Sequence, residues 1–356
     1  MGLSFKNSHV RKRDHVLAVD LGARTTKAVH LQRRGDKFTL INFALLDTPV
    51  HEKALSADTL ADLLKEVGRQ IGTRAKQVTL AIGVGDAVFK QIELPLMPVS
   101  DMRQMLKFNS KNYLQQDLPD HVFDCHMSLA NLTLKQTEGG RMPAGQKHKV
   151  LVSAAKRQSI EDIQSAIRSA GLVADQVVPS LIGPVNAFEL AEPDAFGKDI
   201  VALVELGFRN TSIIILNAGE ISLHRVVAIG GDHLTHSLAE AMSISYQEAE
   251  GIKHGMATEV LQNLEQAVHP LGSELRALVD FFENQQDKTV SKVFLSGGTA
   301  RSEHIVQFLQ TELMVPCELW SPAKTLAMSL PPERMGEIEQ VAPQLSVAIG
   351  AAISAF

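Results

Sequence analysis

Cysteine is nearly absent. Cys125 and Cys317 are the two thiols in 356 residues, and they stand far apart with no CxxC or Cys/His cluster. Neither a disulfide framework nor a zinc site is indicated, and a reducing compartment fits. Long apolar runs are missing too: nothing approaches the roughly 18 to 20 residues that a membrane helix needs, and Lys6 to Arg13 is not followed by a signal-peptide core. Lys6 also occupies the position where a myristoylation motif requires Ser or Thr. Aromatic residues make up only 5% and the net charge is -5, so the basic, aromatic-laced face that nucleic acid demands is not there. The expectation is a cytoplasmic protein, not inserted directly in a membrane and with no nucleic-acid partner.

What is present is an ordinary globular composition, 45% hydrophobic and 21% charged, able to bury a large core. The length exceeds the range over which one core keeps growing, so subdomains separated by a ligand cleft are expected.

Val16 to Val19 is an apolar run ending in Asp20-Leu21-Gly22, and Thr25 to Leu31 resumes an extended pattern, which reads as a hairpin. Lys37 to Leu46 supplies a third strand. Leu60, Leu63, Leu64, Val67 and Ile71 then fall at helical spacing behind Ser56, and Val78 to Ile82 returns to strand. Val88 to Leu94, a helix from about Asp101 to Gln115, and strands at Phe123 to Thr133 and Val150 to Ala154 form a strand-helix-strand-strand module with an exposed Gly-rich loop, Gln136 to His148. Ser159-Ile160-Glu161-Asp162 has the form of a capping box, opening a helix that ends at Gly171, and another helix lies near Pro184 to Leu190. Ile200 to Val204, Ser212 to Leu216 and Ile221 to Ala228 then repeat the opening plan. Helices at about Asp232 to Ala241 and Ser245 to Lys253 follow. The expected organisation is a first domain over residues 1–83 and 156–197, an inserted module over 84–155, and a second domain over 198–356.

The repeat is sharpest in one turn. Asp20-Leu21-Gly22-Ala23-Arg24-Thr25-Thr26 matches Glu205-Leu206-Gly207-Phe208-Arg209-Asn210-Thr211 at five positions, with Asp and Glu counted as equivalent. A single such turn is merely a hairpin. Two copies are what related domains need to grip a polyphosphate from opposite sides. Phosphates need inward-pointing backbone N–H groups and close approach, which Gly22 and Gly207 permit, with hydroxyl donors at Thr25, Thr26 and Thr211. Asp20, at a strand end, can hold Mg2+ through water, because Mg2+ dehydrates reluctantly and is shared between few carboxylates and the phosphates. Strand alternation leaves open whether Lys27 points toward that site. A third element is the apolar strand Val293-Phe294-Leu295 ending in Ser296-Gly297-Gly298-Thr299 before a helix from about Ser302 to Leu313, an order that lets an adenosine lie against backbone.

Phosphate-1, phosphate-2 and adenosine segments in this order resemble the actin-like ATPase superfamily. Within it the chain resembles the PilM-like type IV pilus assembly proteins and, more distantly, the division protein FtsA. Ile92-Glu93-Leu94-Pro95-Leu96-Met97-Pro98, inside the inserted module, is the discriminating segment. The implied fold is α/β, with duplicated actin-like (ribonuclease H-like) domains and an inserted strand-helix-strand-strand subdomain. The implied cofactors are ATP and Mg2+. Asp20 would serve the metal, and Gly22, Arg24, Thr25 and Thr26 would form the first phosphate loop. Glu205, Gly207, Asn210 and Thr211 would form the second, while Gly297, Gly298 and Thr299 would contact adenosine. Glu250 and Lys253 stand where such proteins place polar groups near ribose and base, but they equally suit an i, i+3 surface ion pair.

Two departures bear on activity. Glu205 replaces the usual Asp and carries its carboxylate one methylene further out. Val177-Val178-Pro179-Ser180 lacks the acid with which hydrolytic relatives position water. Slow or negligible ATP turnover is therefore expected, with nucleotide acting as a clamp.

The resemblance further implies a partner, the cytoplasmic N-terminal peptide of a PilN-like inner-membrane protein, held between the first subdomain and the inserted module. It leaves room for contact with pilus motor ATPases and for self-association. Met102, Met105, Leu106 and Tyr113 on the inserted helix suit such a peptide surface, or simply pack on their own sheet. Alternatives are an FtsA-like filament former, a small-molecule kinase of the same superfamily, and a GspL-type secretion component. The terminal run Val347 to Phe356 reads as the last buried helix of the second domain, with no room for a linker and anchor, and no sugar-recognition segment follows the first loop.

Overall fold

The computed structural model describes residues 14–49, 55–73, 75–127, 147–255 and 261–356. Strand β1 (His15–Asp20) is buried at every position after His15, as a strand covered on both faces must be. It pairs antiparallel with β2 (Thr25–Arg34) and parallel with β4 (Gln77–Ile82), and β2 pairs with β3 (Lys37–Asp47). Helix α1 (Ala57–Ile71) forms because Ser56 caps its start, accepting from the Thr59 N–H at 3.2 Å, and Gly72 ends it in a left-handed conformation at φ 63°. Leu60, Leu64 and Val67 of α1 are buried against the sheet.

The inserted module consists of β5 (Ala87–Pro95), α2 (Val99–Leu114), β6 (His121–Met127) and β7 (Lys147–Lys156). Its strands form an antiparallel sheet in the order β5-β7-β6. Met102, Leu106 and Leu114 are fully or almost fully buried among Phe123, Val150 and Val152. Two of the four side chains expected to face a peptide thus belong to the module's own core. Residues 128–133 of the strand expected from Phe123 to Thr133, and 136–146 of the expected exposed loop, lie outside the described residues.

Strand β7 runs directly into α3 (Arg157–Ser169), whose N-cap is Lys156 with no side-chain hydrogen bond. The capping box expected at Ser159 does not form, because the helix has already begun two residues earlier. β8 (Val173–Pro179) and a two-residue strand at Ala327–Met328 complete a six-stranded sheet.

Helices α4 (Gly183–Ala191) and α5 (Pro193–Lys198) lead to the second sheet. It contains β9 (Ile200–Leu206), β10 (Thr211–Asn217), β11 (Glu220–Val227), β12 (Lys292–Ser296) and β13 (Cys317–Leu319), in the order β11-β10-β9-β12-β13. Helices α6 (Gly231–Met242), α7 (Tyr246–Gly255), α8 (Leu261–Gln286) and α9 (Glu303–Leu313) contribute to the core on one of its faces. The sequence reading assigned no element to α8, although Leu264, Val268, Leu271, Leu275 and Phe282 keep helical spacing through Pro270 and are all buried.

The end of the chain corrects the expected second domain over 198–356. After the short α10 (Ile338–Val341), helix α11 (Ser346–Ser354) packs on α4 and on β1, β2 and β4, so it belongs to the first sheet, as does Ala327–Met328, which pairs with β3. A Cβ on Gly350 would lie 1.8 Å from the Gly183 carbonyl oxygen; only paired glycines let these helices approach so closely. The core around α4 and α11 joins residues of both sheets, including Val29, Val201 and Phe294, with Trp320 just beyond β13.

Candidate functional site

The two duplicated turns face a common cleft of about 490 Å³. Each is too tight for a side chain at its glycine. A Cβ on Gly22 would lie 2.3 Å from the Thr25 carbonyl oxygen, and one on Gly207 would lie 2.7 Å from that of Asn210. Each glycine carbonyl is also held by a hydroxyl from another element: Thr48 donates to Gly22 at 2.8 Å and Thr299 to Gly207 at 3.2 Å. The turns are therefore rigid before any ligand arrives, which suits binding through backbone N–H groups.

Strand alternation sorts the residues that follow. Thr25 and Lys27 line the cleft, while Thr26 turns inward. Thr26 Oγ1 shares a 2.9 Å hydrogen bond with Thr48 Oγ1, and Thr211, its counterpart, donates to the Ile229 carbonyl at 2.6 Å. The expectation of phosphate-donating hydroxyls at Thr26 and Thr211 is thus corrected, since both are fully buried braces of their hairpins. Lys27, left open by the sequence, faces Asp20 across the β1–β2 ladder, with Nζ 3.0 Å from Oδ2. Burial opposes its charge, but the adjacent Asp20 carboxylate outweighs this and holds the ammonium above its usual value.

Glu205 stands at the equivalent point of the second hairpin, opposite Ser212 rather than a lysine. Its Oε2 accepts from Ser296 and, at 2.6 Å, from Ser346. Burial pushes its carboxyl up to about 7, partly offset by these two hydroxyls and by Lys27.

At the mouth of the cleft, Glu250 accepts from Arg24 at 2.8 Å and from Lys253 at 2.7 Å. Lys253 also donates to the Gly231 carbonyl and to Thr235, so all three of its ammonium protons have protein acceptors. The Glu250–Lys253 pair is therefore half-buried and pinned rather than a loose surface pair, and Arg24 joins it from the first turn while lying over the Phe208 ring of the second.

Of the expected site residues, Asp20, Gly22, Arg24, Thr25, Glu205, Gly207, Asn210, Glu250, Lys253, Gly298 and Thr299 line the cleft; Thr26, Thr211 and Gly297 are not among its lining. Gly297 has φ 97° and its missing Cβ would meet the Leu206 carbonyl at 2.4 Å, so it serves chain crossing. Asp86, Ser180, Arg209, Arg301 and Gln344 also line the cleft. Sequence reasoning did not propose them, though Gly83-Val84-Gly85-Asp86 directly after a strand was a turn signal at the right sheet edge.

The donor set suits a polyanion. Arg24, Lys27, Arg209 and Arg301 meet Asp20, Asp86, Glu205 and Glu250, with Glu205 holding its charge weakly, while Lys253 adds charge but has its protons committed to protein acceptors. Among the described residues no group of three or more His, Cys, Asp or Glu could hold a metal by itself. That is compatible with Mg2+ shared between few carboxylates, water and phosphates, and not with an all-protein cage.

Comparison with known proteins places this geometry. A family model described as type IV pilus assembly protein PilM matches residues 18–356. The cell division protein FtsA of Pseudomonas aeruginosa is 24% identical over 229 residues, covering 55% of this chain and 54% of that protein. The chain spans about half the length of the curated relatives it matches. A solved PilM-PilN type IV pilus biogenesis complex superposes with a TM-score of 0.80 at 22% identity, covering 97% of this chain and 99% of the other. MreB5 of Spiroplasma citri bound to AMPPNP gives a TM-score of 0.52 at 10% identity, over 96% and 95% of the two chains. The fold is actin-like. No helix among the described residues is long and apolar enough to cross a membrane.

Proposed function

The chain belongs to the PilM family of type IV pilus assembly proteins, and on that ground we propose that it is an ATP-binding scaffold of pilus assembly that captures the cytoplasmic N-terminal peptide of a PilN-like inner-membrane protein. One observation carries the nucleotide half: two glycine turns from two sheets, each closed too tightly for a side chain, line one cleft with Asp20 and Lys27. Backbone N–H groups around Gly22 and Gly207 would receive the phosphates, with Thr25 and Asn210 beside them, and Gly298 and Thr299 would lie along adenosine. Asp20 would hold Mg2+ through water. When bound, that ion neutralises phosphate charge; the chain's own part is to position and to exclude.

Turnover is slow or absent in this reading, because the segment expected to position water brings Ser180 to the cleft and no acid. Nucleotide then stabilises the state in which the two sheets' turns are held together, by mass action.

The partner half is supported by family membership and by a structural relative described as a PilM-PilN complex. Met105 and Tyr113 keep accessible surface on the inserted helix, Tyr113 at 39%, and are the residues of the expected four that a peptide could reach. Capture of a membrane-anchored head would recruit the chain to the inner face of the membrane and connect it to the pilus motor, with self-association as a further property of the assembly.

Titration calorimetry with Mg-ATP tests the first half; absence of binding overturns it. Pull-down with the first dozen or so residues of a PilN-like protein encoded alongside tests the second, and failure with the nucleotide-loaded chain overturns that half alone.

A further inference from the structure

The two carboxylates that occupy equivalent places in the duplicated turns have different partners. Asp20 is paired across its own hairpin with Lys27. Glu205 has Ser212 at that register, and its Oε2 instead accepts two hydroxyls that come from two different elements. Ser296 lies beside it on the neighbouring strand β12 of the same sheet. Ser346 opens α11, the helix that packs on the first sheet through β1, β2 and β4. Both serines are essentially inaccessible, at 1% and 0% exposure.

We infer that Glu205 is a hinge-positioning residue, whose carboxylate ties the second sheet to α11 and so sets the angle at which the two phosphate turns meet, and that it is not a ligand of the metal. The inference goes beyond the nucleotide-binding reading and rests on it only where nucleotide affinity is the readout.

Three observations favour it. The oxygen that accepts both hydroxyls is one and the same, so the bond to Ser346 depends on a carboxylate held in place by Ser296. The crossing segment is tied a second time next door, where the Gly297 N–H donates to the Pro343 carbonyl at 2.8 Å, so strand β12 and the run into α11 are joined at two adjacent points. The length of the side chain is also used. An Asp at 205 would end about 1.5 Å short, one carbon–carbon bond, and could not keep the Ser346 contact without moving the strand. The glutamate is what reaches the hinge.

A metal ligand and a hinge bracket respond to substitution in opposite orders, which makes the inference testable in the full chain. Glu205→Gln keeps length and an acceptor oxygen but loses the charge; Glu205→Asp keeps the charge but loses the reach; Ser346→Ala removes only the link to α11, and Ser346→Thr restores a hydroxyl. For a bracket, Glu205→Asp and Ser346→Ala each weaken Mg-ATP binding by about tenfold, Glu205→Gln changes it by about twofold or less, Ser346→Thr recovers most of the loss, and dependence on Mg2+ is unaltered. If Glu205→Gln instead abolishes Mg2+-dependent binding while Glu205→Asp and Ser346→Ala behave like wild type, Glu205 is a metal ligand and the inference is wrong. Hydrogen exchange on the nucleotide-free chain judges the bracket independently. Ser346→Ala should raise exchange in segments 205–211 and 344–350 together, while an unchanged pattern there overturns the bracket even if wild type binds no nucleotide. Failure of wild type to bind Mg-ATP overturns only the nucleotide reading.

Discussion

Arg24 Nη1 lies 2.8 Å from Glu250 Oε1, joining the first glycine turn to a helix of the second sheet's layer across the mouth of the cleft. The same guanidinium sits 5.2 Å from the centroid of Phe208, in the second turn. Closure at the mouth thus involves a partly exposed arginine, while closure at the floor passes through buried groups.

Exposed ion pairs and cation–π contacts each contribute about 0.5–1 kcal/mol. Arg24→Ala removes both and should accordingly loosen the mouth, weakening Mg-ATP binding by about fivefold to thirtyfold with little effect on melting temperature. A double-mutant cycle with Glu250→Gln, read by calorimetry, should return a coupling of about 0.5–1 kcal/mol; strict additivity would remove the latch.

Asp20→Ala should abolish the Mg2+ dependence of nucleotide binding. Because Lys27 would then be buried without its carboxylate, the same substitution should also cost about 3 kcal/mol of stability, measurable by urea denaturation. Adding Lys27→Met should recover most of that stability and none of the binding. Unchanged affinity in Asp20→Ala would remove the metal role.

Thr25 and Thr26 should separate function from folding within two adjacent residues. Thr25→Val should weaken nucleotide binding at nearly constant stability. Thr26→Val leaves Thr48 without one hydroxyl partner and should cost about 1 kcal/mol, with nucleotide affinity preserved in the folded fraction. The reverse outcome would mean that Thr26, not Thr25, meets the ligand.

Gly350→Ala should be severe, because its Cβ would collide with the Gly183 carbonyl; loss of about 3 kcal/mol or of soluble expression is expected. Gly68→Ala is the contrasting case. It lies within helix α1 with open space around it, so the substitution should stabilise by about 0.5–1 kcal/mol. Thermal melts of the two variants check both signs.

Glu205 also predicts a pH dependence. Its carboxyl is raised from 4.5 to about 7 in the folded chain, so between those values the folded state holds the extra proton. Stability should then be greater toward the acidic end of that window and fall as pH rises through about 7, by at most about 1.4 kcal/mol per pH unit. Denaturation at several pH values should show this decline in wild type and a shallower one in Glu205→Gln; parallel curves would contradict it.

The fold class, the duplication and the glycine turns were legible in the sequence because they are local: apolar runs between turn signals, a repeated seven-residue segment, and turns that only Gly can close. Strand alternation also contained the sorting of Thr25, Thr26 and Lys27, but the sequence does not say which face of β2 meets the cleft, and the packing of Thr26 on Thr48 decides it. The return of Ala327–Met328 and α11 to the first sheet was not legible, since a buried apolar helix reads the same on either sheet. The two fates of the matched acids were beyond reach for a related reason. Asp20 and Glu205 hold matching places in the two turns, and although Lys27 and Ser212 at the equivalent register already differ in sequence, nothing local shows that Glu205 meets a serine from a segment 141 residues away. Sequence determined the two turns and set Lys27 opposite Asp20; only the long-range packing that brings Ser346 to Glu205 decided what the second carboxylate does.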